Sequence, residues 1–546
     1  MGVFKRDLLM VIFSISLLVS GCQSAPEVKA KQPGKRNVIF MVMDGTNSDV
    51  VTLARWYKGG SLNMDKILTG GVRTYSLESS ITDSAAAGTA LATGHKTVTD
   101  AIGMVPVVDS EVRGEKQKRS FRPVVNVLEA AQAEGLATGI VSTSPVQHAT
   151  PAAFSSHSIA RNDFDDIGEQ QVYQGMNVVL GGGKLSLIPK SELDVGKLEK
   201  VPFGAKDARK DGENLVKVIR DKGYSFVETK RPMERASGSK LWGSFAYGDV
   251  AYEFDRAKLH PEQPSLAEMT GKAIDVLSKD RDGFFLFVEG SKVDWAAHKN
   301  DPVGMISEVL SFDEAVGEAL KFAKKDGNTM VVAVTDHGNS GLTIGGRTTN
   351  KTYAHTPIEK IIVPLKKAKL TVEGAVSEMK EDRSNLKSVL ADYGLDGLSV
   401  DDFSMVAGSK DVGGEMVKLL AERAHLGFTT HGHTGEDVFL YSYGPGKPAG
   451  LVNNIEISRY IADFIGMDMG AVGSRLFVNA AEFYKSEGFA VSIDKSDAEN
   501  PVFTAKKDGL VIQYPENKNV RIKNGKAAEL SGVTVFNGDE FFIPVE

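Results

Sequence analysis

The sequence predicts an α/β protein: a mostly parallel central β-sheet flanked by helices on both faces, with an inserted helical region and a small β-rich C-terminal appendage. Three observations lead there. Continuous apolar runs without two-residue alternation recur along the chain, as strands buried on both faces require, and helical patterns separate them. The runs ending at Met43, Val288 and Val334 pass straight into acidic residues, in Asp44-Gly45, Glu289-Gly290 and, one residue on, Asp336-His337. Sites in open parallel sheets lie beyond the carboxyl ends of the strands, so acids after three separate strands point to one shared site. Finally, residues 365–425 are charged and helix-prone and interrupt the alternation, while residues 487–546 change to short β-rich runs.

At the N-terminus, Lys5 and Arg6 precede an apolar run over 8–19, followed by Ser20-Gly21-Cys22. This reads as an export signal too short to span a bilayer comfortably, and Val19-Ser20-Gly21-Cys22 resembles a bacterial lipoprotein signal. Residues 1–21 are therefore expected to be removed, with lipid on Cys22 and residues 22–36 as a tether. That places the protein in the cell envelope, held to a membrane on the periplasmic face or the cell surface. Cys22 is the only cysteine in 546 residues, so the mature domain contains no disulfide. A net charge of −7 argues against nucleic acid as a partner, though a local basic pocket for a phosphoryl group is compatible with it.

One large domain over 37–486 follows, beginning with a strand over 38–43. Between 80 and 97 a Ser/Thr/Asp cluster gives way to Ala, Gly and Leu, a loop entering a helix with Ser84 at or near its first turn. Such a serine is either a helix cap or a nucleophile toward an anion held by the helix N-terminus. A helix over 123–134 leads to a strand over 137–141, and a strand over 177–180 stops at Gly181-Gly182-Gly183. Ser265 and Glu268 form a capping box opening a helix to about Lys279. A strand over 284–288, an amphipathic helix over 305–325, and strands over 330–334 and 438–443 complete the core. In the tail, Asn524-Gly525 and Asn537-Gly538 are hairpin signals.

Asp294 and His298 stand four residues apart, on one face of a helical turn. Glu289 lies just upstream, Asp336-His337 ends the next strand, and His433 sits in a glycine-flanked loop before the last strand. One carboxylate with two imidazoles is a recurrent zinc set that leaves a coordination position open. A harder, all-oxygen set suits magnesium.

In order along the chain stand Asp44-Gly45, Thr82-Asp83-Ser84-Ala85-Ala86, His148-Ala149-Thr150-Pro151, Arg161, Glu289 with Asp294 and His298, Asp336-His337, and His433-Thr434-Gly435. With these motifs the sequence resembles the alkaline phosphatases over about residues 37–478. The resemblance implies hydrolysis of phosphate monoesters through a phosphoserine on Ser84, with two zinc ions and one magnesium ion per subunit. Asp294, His298 and His433 would hold the first zinc. Asp44, Asp336 and His337 would hold the second, and Asp44, Thr150 and Glu289 the magnesium. Arg161 would grip two phosphate oxygens, a geometry guanidinium matches and lysine does not. His148 stands where an enterobacterial member has aspartate, and Trp295 where it has lysine, so both are expected near bound phosphate. His431 is expected behind the metal ligands and His95 in a structural role. The family is commonly dimeric, which makes a homodimer one expected assembly beside a monomer. A phosphodiesterase of the same superfamily and, more distantly, a non-catalytic lipid-anchored metal or phosphate binder are the alternatives. A sulfatase is excluded, because Ser84 lacks the Cys/Ser-x-Pro-x-Arg motif.

Overall fold

The computed structural model describes residues 35–107, 120–194 and 208–545; the signal, Cys22 and nearly all of the tether lie outside the described residues. At the centre is a ten-stranded sheet. In chain order its strands are β1 (Arg36–Met43), β2 (Leu68–Arg73), β3 (Ala137–Pro145), β4 (Val178–Gly182) and β5 (Ser225–Val227). They continue with β6 (Leu241–Ser244), β7 (Gly283–Gly290), β8 (Thr329–Val334), β9 (Val438–Tyr443) and β10 (Gly450–Asn453). Across the sheet they run β10-β2-β9-β8-β1-β7-β3-β4-β6-β5, and β9 alone is antiparallel to its neighbours. The helices that matter for the site are α1 (Ser84–Thr93), α2 (Ala149–Ala153), α3 (Phe164–Tyr173), α4 (Leu266–Leu277), α5 (Lys292–His298), α6 (Pro302–Asp326) and α7 (Val372–Ser377).

The unbroken apolar runs have a simple cause: successive side chains of each central strand enter two different cores. Ile39, Met41 and Met43 of β1 join Phe284, Leu286 and Val288 of β7 on one face, under α4 and α6. Val38, Phe40 and Val42 join Phe285 and Phe287 on the other, where Phe154 stacks on Phe287 at 4.3 Å. Because side chains alternate across a strand, a strand buried on both sides needs apolar residues at every position.

Parallel register then brings the acids together. Val42 of β1 pairs with Val334 of β8 on one side and with Glu289 of β7 on the other. Asp44, Asp336 and Glu289 therefore emerge at one edge of three adjacent strands. The capping box of Ser265 and Glu268 opens α4, and Asp301 caps α6, which begins on Pro302. The expected helix over 123–134 needs correction. Ser120–Pro123 is instead a short strand, and the helix covers Val127–Ala133 under a capping box of Asn126 and Glu129. Pro123 supplies no N–H and extends the residue before it, whereas Asn126 satisfies the first free N–H groups.

Between 358 and 423 the chain forms five helices, among them α7. The tail builds a five-stranded antiparallel sheet from Ala490–Asp494 to Lys526–Glu529. Asn524 and Gly525 both take positive φ (46° and 77°) at its last hairpin, the left-handed pair that a tight turn matching strand twist requires. Asp508 and Gly509 do the same at the turn joining Val502–Lys507 to Leu510–Pro515 (φ 50° and 79°). The tail is keyed to α3 through Asn517, which donates to Asp166 at 3.1 Å and accepts from Gln170 at 2.9 Å. Among the described residues no helix is long and apolar enough to cross a membrane.

Candidate active site

Ser84 is the first residue of α1, and the helix is capped by its neighbour rather than by Ser84 itself. Asp83 is the N-cap, accepting the Ala86 N–H at 3.1 Å, which leaves the Ser84 hydroxyl free of that duty. Ser84 is buried, and its Oγ lies 3.0 Å from Nε2 of His337.

Around that point three groups of side chains converge. In the first, Nε2 of His298 lies 3.4 Å from Asp294 Oδ2, and Nε2 of His433 lies 3.6 Å from Asp294 Oδ1. The four-residue spacing along α5 places Asp294 beside His298 as expected, and Gly45 lets Asp294 close on the end of β1, where any Cβ would collide with it. In the second, Nε2 of His337 lies 3.2 Å from Asp336 Oδ2 and 3.5 Å from Asp44 Oδ1. The third brings Asp44, His148 and Glu289 together, with Thr150 Oγ1 3.5 Å from Asp44 Oδ2. Asp44 thus stands in both of the last two groups. His148 enters the third group, while its ring also meets Trp295 edge-on at 5.5 Å and its Nε2 lies 3.4 Å from Arg161. Arg161 is anchored by Asp83 at 3.1 Å. His95 lies outside these groups, its ring bonded locally to the Thr93 carbonyl at 3.0 Å.

The side chains behind the three groups fix which atoms face inward. His298, His433 and His337 each bond through Nδ1 to a backbone carbonyl, of His431 (2.7 Å), Thr82 (2.8 Å) and Gly338 (3.2 Å). A carbonyl accepts only, so Nδ1 carries the proton and each Nε2 lone pair points into the site. Asp336 Oδ1 takes the N–H groups of Gly45 and His337, and Asn339 donates to Asp294 Oδ1 at 2.6 Å. Ser142 donates to Glu289 Oε2 at 2.6 Å, backed by Ser144 and Ser291. What remains is informative: Asp44 Oδ1, Asp336 Oδ2, Glu289 Oε1 and His148 Nδ1 are buried without a hydrogen-bond partner.

Such groups are costly to bury as anions unless cations meet them. Burial pushes the Asp44 carboxyl well up, helped by the charges of Asp336, Asp294 and Glu289. It pushes Glu289 to about 7 and Asp336 to about 6. Burial also disfavours charge on three of the imidazoles, with His433 lowered to about 4, His148 to about 3 with help from Arg161, and His337 lowered as well, whereas contact with Asp294 outweighs burial and raises His298. Asp294 goes the other way: burial favours its acid form, but His298, His433 and His337 together hold it below the usual range. Unpartnered carboxylate oxygens facing inward lone pairs of imidazoles are a donor set for divalent cations, and the residues present fit that role.

Five further side chains take part. Asp83 stands within a motif whose sequence gives it no role, and Asn339, Ser142, Ser144 and Ser291 carry no local pattern that would mark them. Only contact across the fold reveals them.

A serine at a helix start, an arginine and three cation-ready groups, all at the carboxyl edge of a parallel sheet, define a metal-binding hydrolase of the α/β class. Comparison with known proteins makes the class specific. The family model for alkaline phosphatase matches residues 35–467, and the chain belongs to the alkaline phosphatase family. It is 35% identical over 489 residues to alkaline phosphatase 4 of Bacillus subtilis (strain 168), covering 84% of this chain and 96% of the relative. The crystal structure of Thermus thermophilus alkaline phosphatase aligns with a TM-score of 0.68 at 27% identity, over 80% of this chain and 92% of that one. A histidine-to-aspartate mutant of the alkaline phosphatase from the Antarctic bacterium TAB5, with Mg bound in its M3 site, aligns with a TM-score of 0.55 at 25% identity, over 80% of this chain and 100% of that one. The protein is an alkaline phosphatase that hydrolyses phosphate monoesters.

Proposed function

We propose that the reaction runs through a phosphoserine on Ser84, in a site holding two zinc ions and one magnesium ion. The observation that carries this reading is the position of Ser84 Oγ, 3.0 Å from His337 Nε2 and at the start of α1. Asp294, His298 and His433 would hold the first zinc, Asp44, Asp336 and His337 the second, and Asp44, Thr150 and Glu289 the magnesium, with His148 beside it. Bound there, divalent cations supply the Lewis acidity that ionises a hydroxyl or water at neutral pH and stabilises a leaving oxygen.

The chain does the rest. Ser84 attacks phosphorus in line with the ester oxygen, the P–O bond to the alcohol breaks, and the alcohol takes up a proton as it leaves. Water then attacks the phosphoserine from the vacated side, releasing inorganic phosphate and restoring the hydroxyl. The N-terminus of α1 favours the anion at Ser84 through its partial positive charge. Arg161, aimed by Asp83, grips two non-transferring oxygens in both steps. Trp295 and His148 pack together beside Arg161, a neutral wall where a cation would otherwise hold phosphate more tightly.

The test is the holoenzyme itself. Elemental analysis should find about two zinc and one magnesium per chain, and p-nitrophenyl phosphate should be hydrolysed far faster than its bis-ester. A strong chelator should abolish turnover, and zinc with magnesium should restore it. Full activity in zinc-free protein would overturn the metal assignment, and a preference for the diester would favour the phosphodiesterase reading.

Arg161→Ala removes two charge-assisted hydrogen bonds, each contributing about 1.5–3 kcal/mol when partly desolvated. With water replacing the guanidinium, kcat/KM should fall roughly 10- to 1000-fold and inhibition by phosphate should weaken alongside it. The phosphoserine should still be trapped at low pH.

For location, the lipoprotein-like Val19-Ser20-Gly21-Cys22 supports lipid on Cys22, a tether over 22–36 and attachment in the cell envelope. We take 37–486 as the catalytic domain, 365–425 as its insertion and 487–546 as the appendage. Assembly as a homodimer is likewise a reading from the family. A labelled fatty acid should enter the native protein and not Cys22→Ala; equal labelling of both would refute the anchor.

A further inference from the structure

Helix α5 carries both Asp294 and His298, yet it is only seven residues long. A helix that short holds its own geometry poorly, so its ends decide where its side chains point. Each end carries a lysine, Lys292 at the start and Lys299 just past the last turn. Both reach one carboxylate, that of Glu373 in α7. Glu373 Oε1 lies 3.7 Å from Lys292 Nζ, and Oε2 bonds the Lys299 ammonium. The lysine at the start is almost fully enclosed, with a side chain 1% exposed. It also pairs with Asp249, donates to the Val250 carbonyl at 3.0 Å and lies 3.8 Å from the centre of the Tyr252 ring. Burial alone would raise the Glu373 carboxyl, but the two lysines outweigh it and hold it below its usual range.

The residues before Glu373 are bolted down as well. Thr371 gives its N–H to Asp255 Oδ1 at 2.8 Å and its hydroxyl to Oδ2 at 2.6 Å. Val372 gives its N–H to Asp301 Oδ2 at 3.0 Å, and Tyr393 bonds the other oxygen of Asp301 at 2.7 Å. Asp301 is the cap of α6, three residues beyond His298. Three consecutive residues of the inserted helical region thus grip the body of the protein, and the third spans α5 from end to end.

We infer that the inserted region braces α5 through Glu373, making Glu373 a positioning residue that sets how firmly Asp294 and His298 hold their metal ion. A carboxylate shared by two ammonium groups resists tilt of the helix, because either end can move only by losing one contact. The inference rests on the assignment of Asp294 and His298 as ligands of one zinc.

The experiment follows zinc leaving the holoenzyme into a colorimetric chelator such as 4-(2-pyridylazo)resorcinol. Glu373→Gln keeps the shape and removes the charge, and it should release one zinc about 10-fold faster, at the lower end of what outer partners of metal ligands contribute. The second zinc should leave at the parental rate. Lys299→Gln, with a side chain 34% exposed in the parent, should do the same without endangering the fold. The double variant should be no faster than Glu373→Gln alone, since that substitution already removes the contact to Lys299. Parental release rates in both single variants, additive effects in the double variant, or equal loosening of both zinc ions would overturn the brace. His298→Ala separates the two claims. If it retains all its zinc, the ligand assignment fails; if it loses one zinc while Glu373→Gln behaves as the parent, only the brace fails.

Discussion

Replacing Ser84 with alanine is expected to lower kcat/KM by at least about 1,000-fold while leaving the metal content unchanged. The side chain is buried and its hydroxyl touches His337 Nε2 at 3.0 Å, but Asp83, not Ser84, caps the helix. Alanine is a strong helix former and the cap stays in place, so α1 should fold as before. The defect is therefore chemical. Phosphate trapped by acid quench from labelled substrate should vanish in Ser84→Ala. A small residual rate is expected, because the cation-lined site can still present substrate to water. Wild-type turnover in that variant, or trapped phosphate on a different residue, would refute the nucleophile.

Asp44→Asn should have the second large effect, for a different reason. Asp44 belongs to two of the three ligand groups and is fully buried. An amide keeps the volume but loses the charge and half of the acceptor capacity. If the parent holds the proposed three metal ions, the variant should bind about one, with turnover reduced on the order of 1,000-fold. Stability should respond with opposite signs in the two forms. Without metal, burial and the charges of Asp336, Asp294 and Glu289 all disfavour a carboxylate at Asp44, so the neutral amide should raise the Tm of the stripped protein. With metal, loss of a carboxylate that both groups share should lower the Tm. Calorimetry of both forms checks the pair of shifts, and a stripped variant less stable than the stripped parent would contradict this electrostatic account.

Much of this is legible in the sequence. The strands were readable because a strand buried on both faces must be apolar at every step, as 38–43 and 284–288 are. The pairing of Asp294 with His298 was readable because helical geometry converts a four-residue spacing into proximity. Asn524-Gly525 was readable because two successive left-handed residues are costly for most side chains. Each of these signals lies within a few residues. The misplaced helix start at 123 shows the limit of such signals, since the capping pair of Asn126 and Glu129 is a finer cue than the apolar pattern around it.

By itself, then, the sequence determined the layered sheet, the acids at its carboxyl edge and, through the order of its motifs, the family. Tertiary structure alone decided which oxygen of each acid is left open and which residues hold it there. Ser84 and His337 are 253 positions apart, Asn517 and Asp166 are 351 apart, and nothing local links either pair. The same holds for Asn339 behind Asp294 and for Glu373 across α5. A hydrogen bond depends on where two side chains end in space, and that is settled only when the parallel register and helix packing have brought distant segments within about 3 Å of each other.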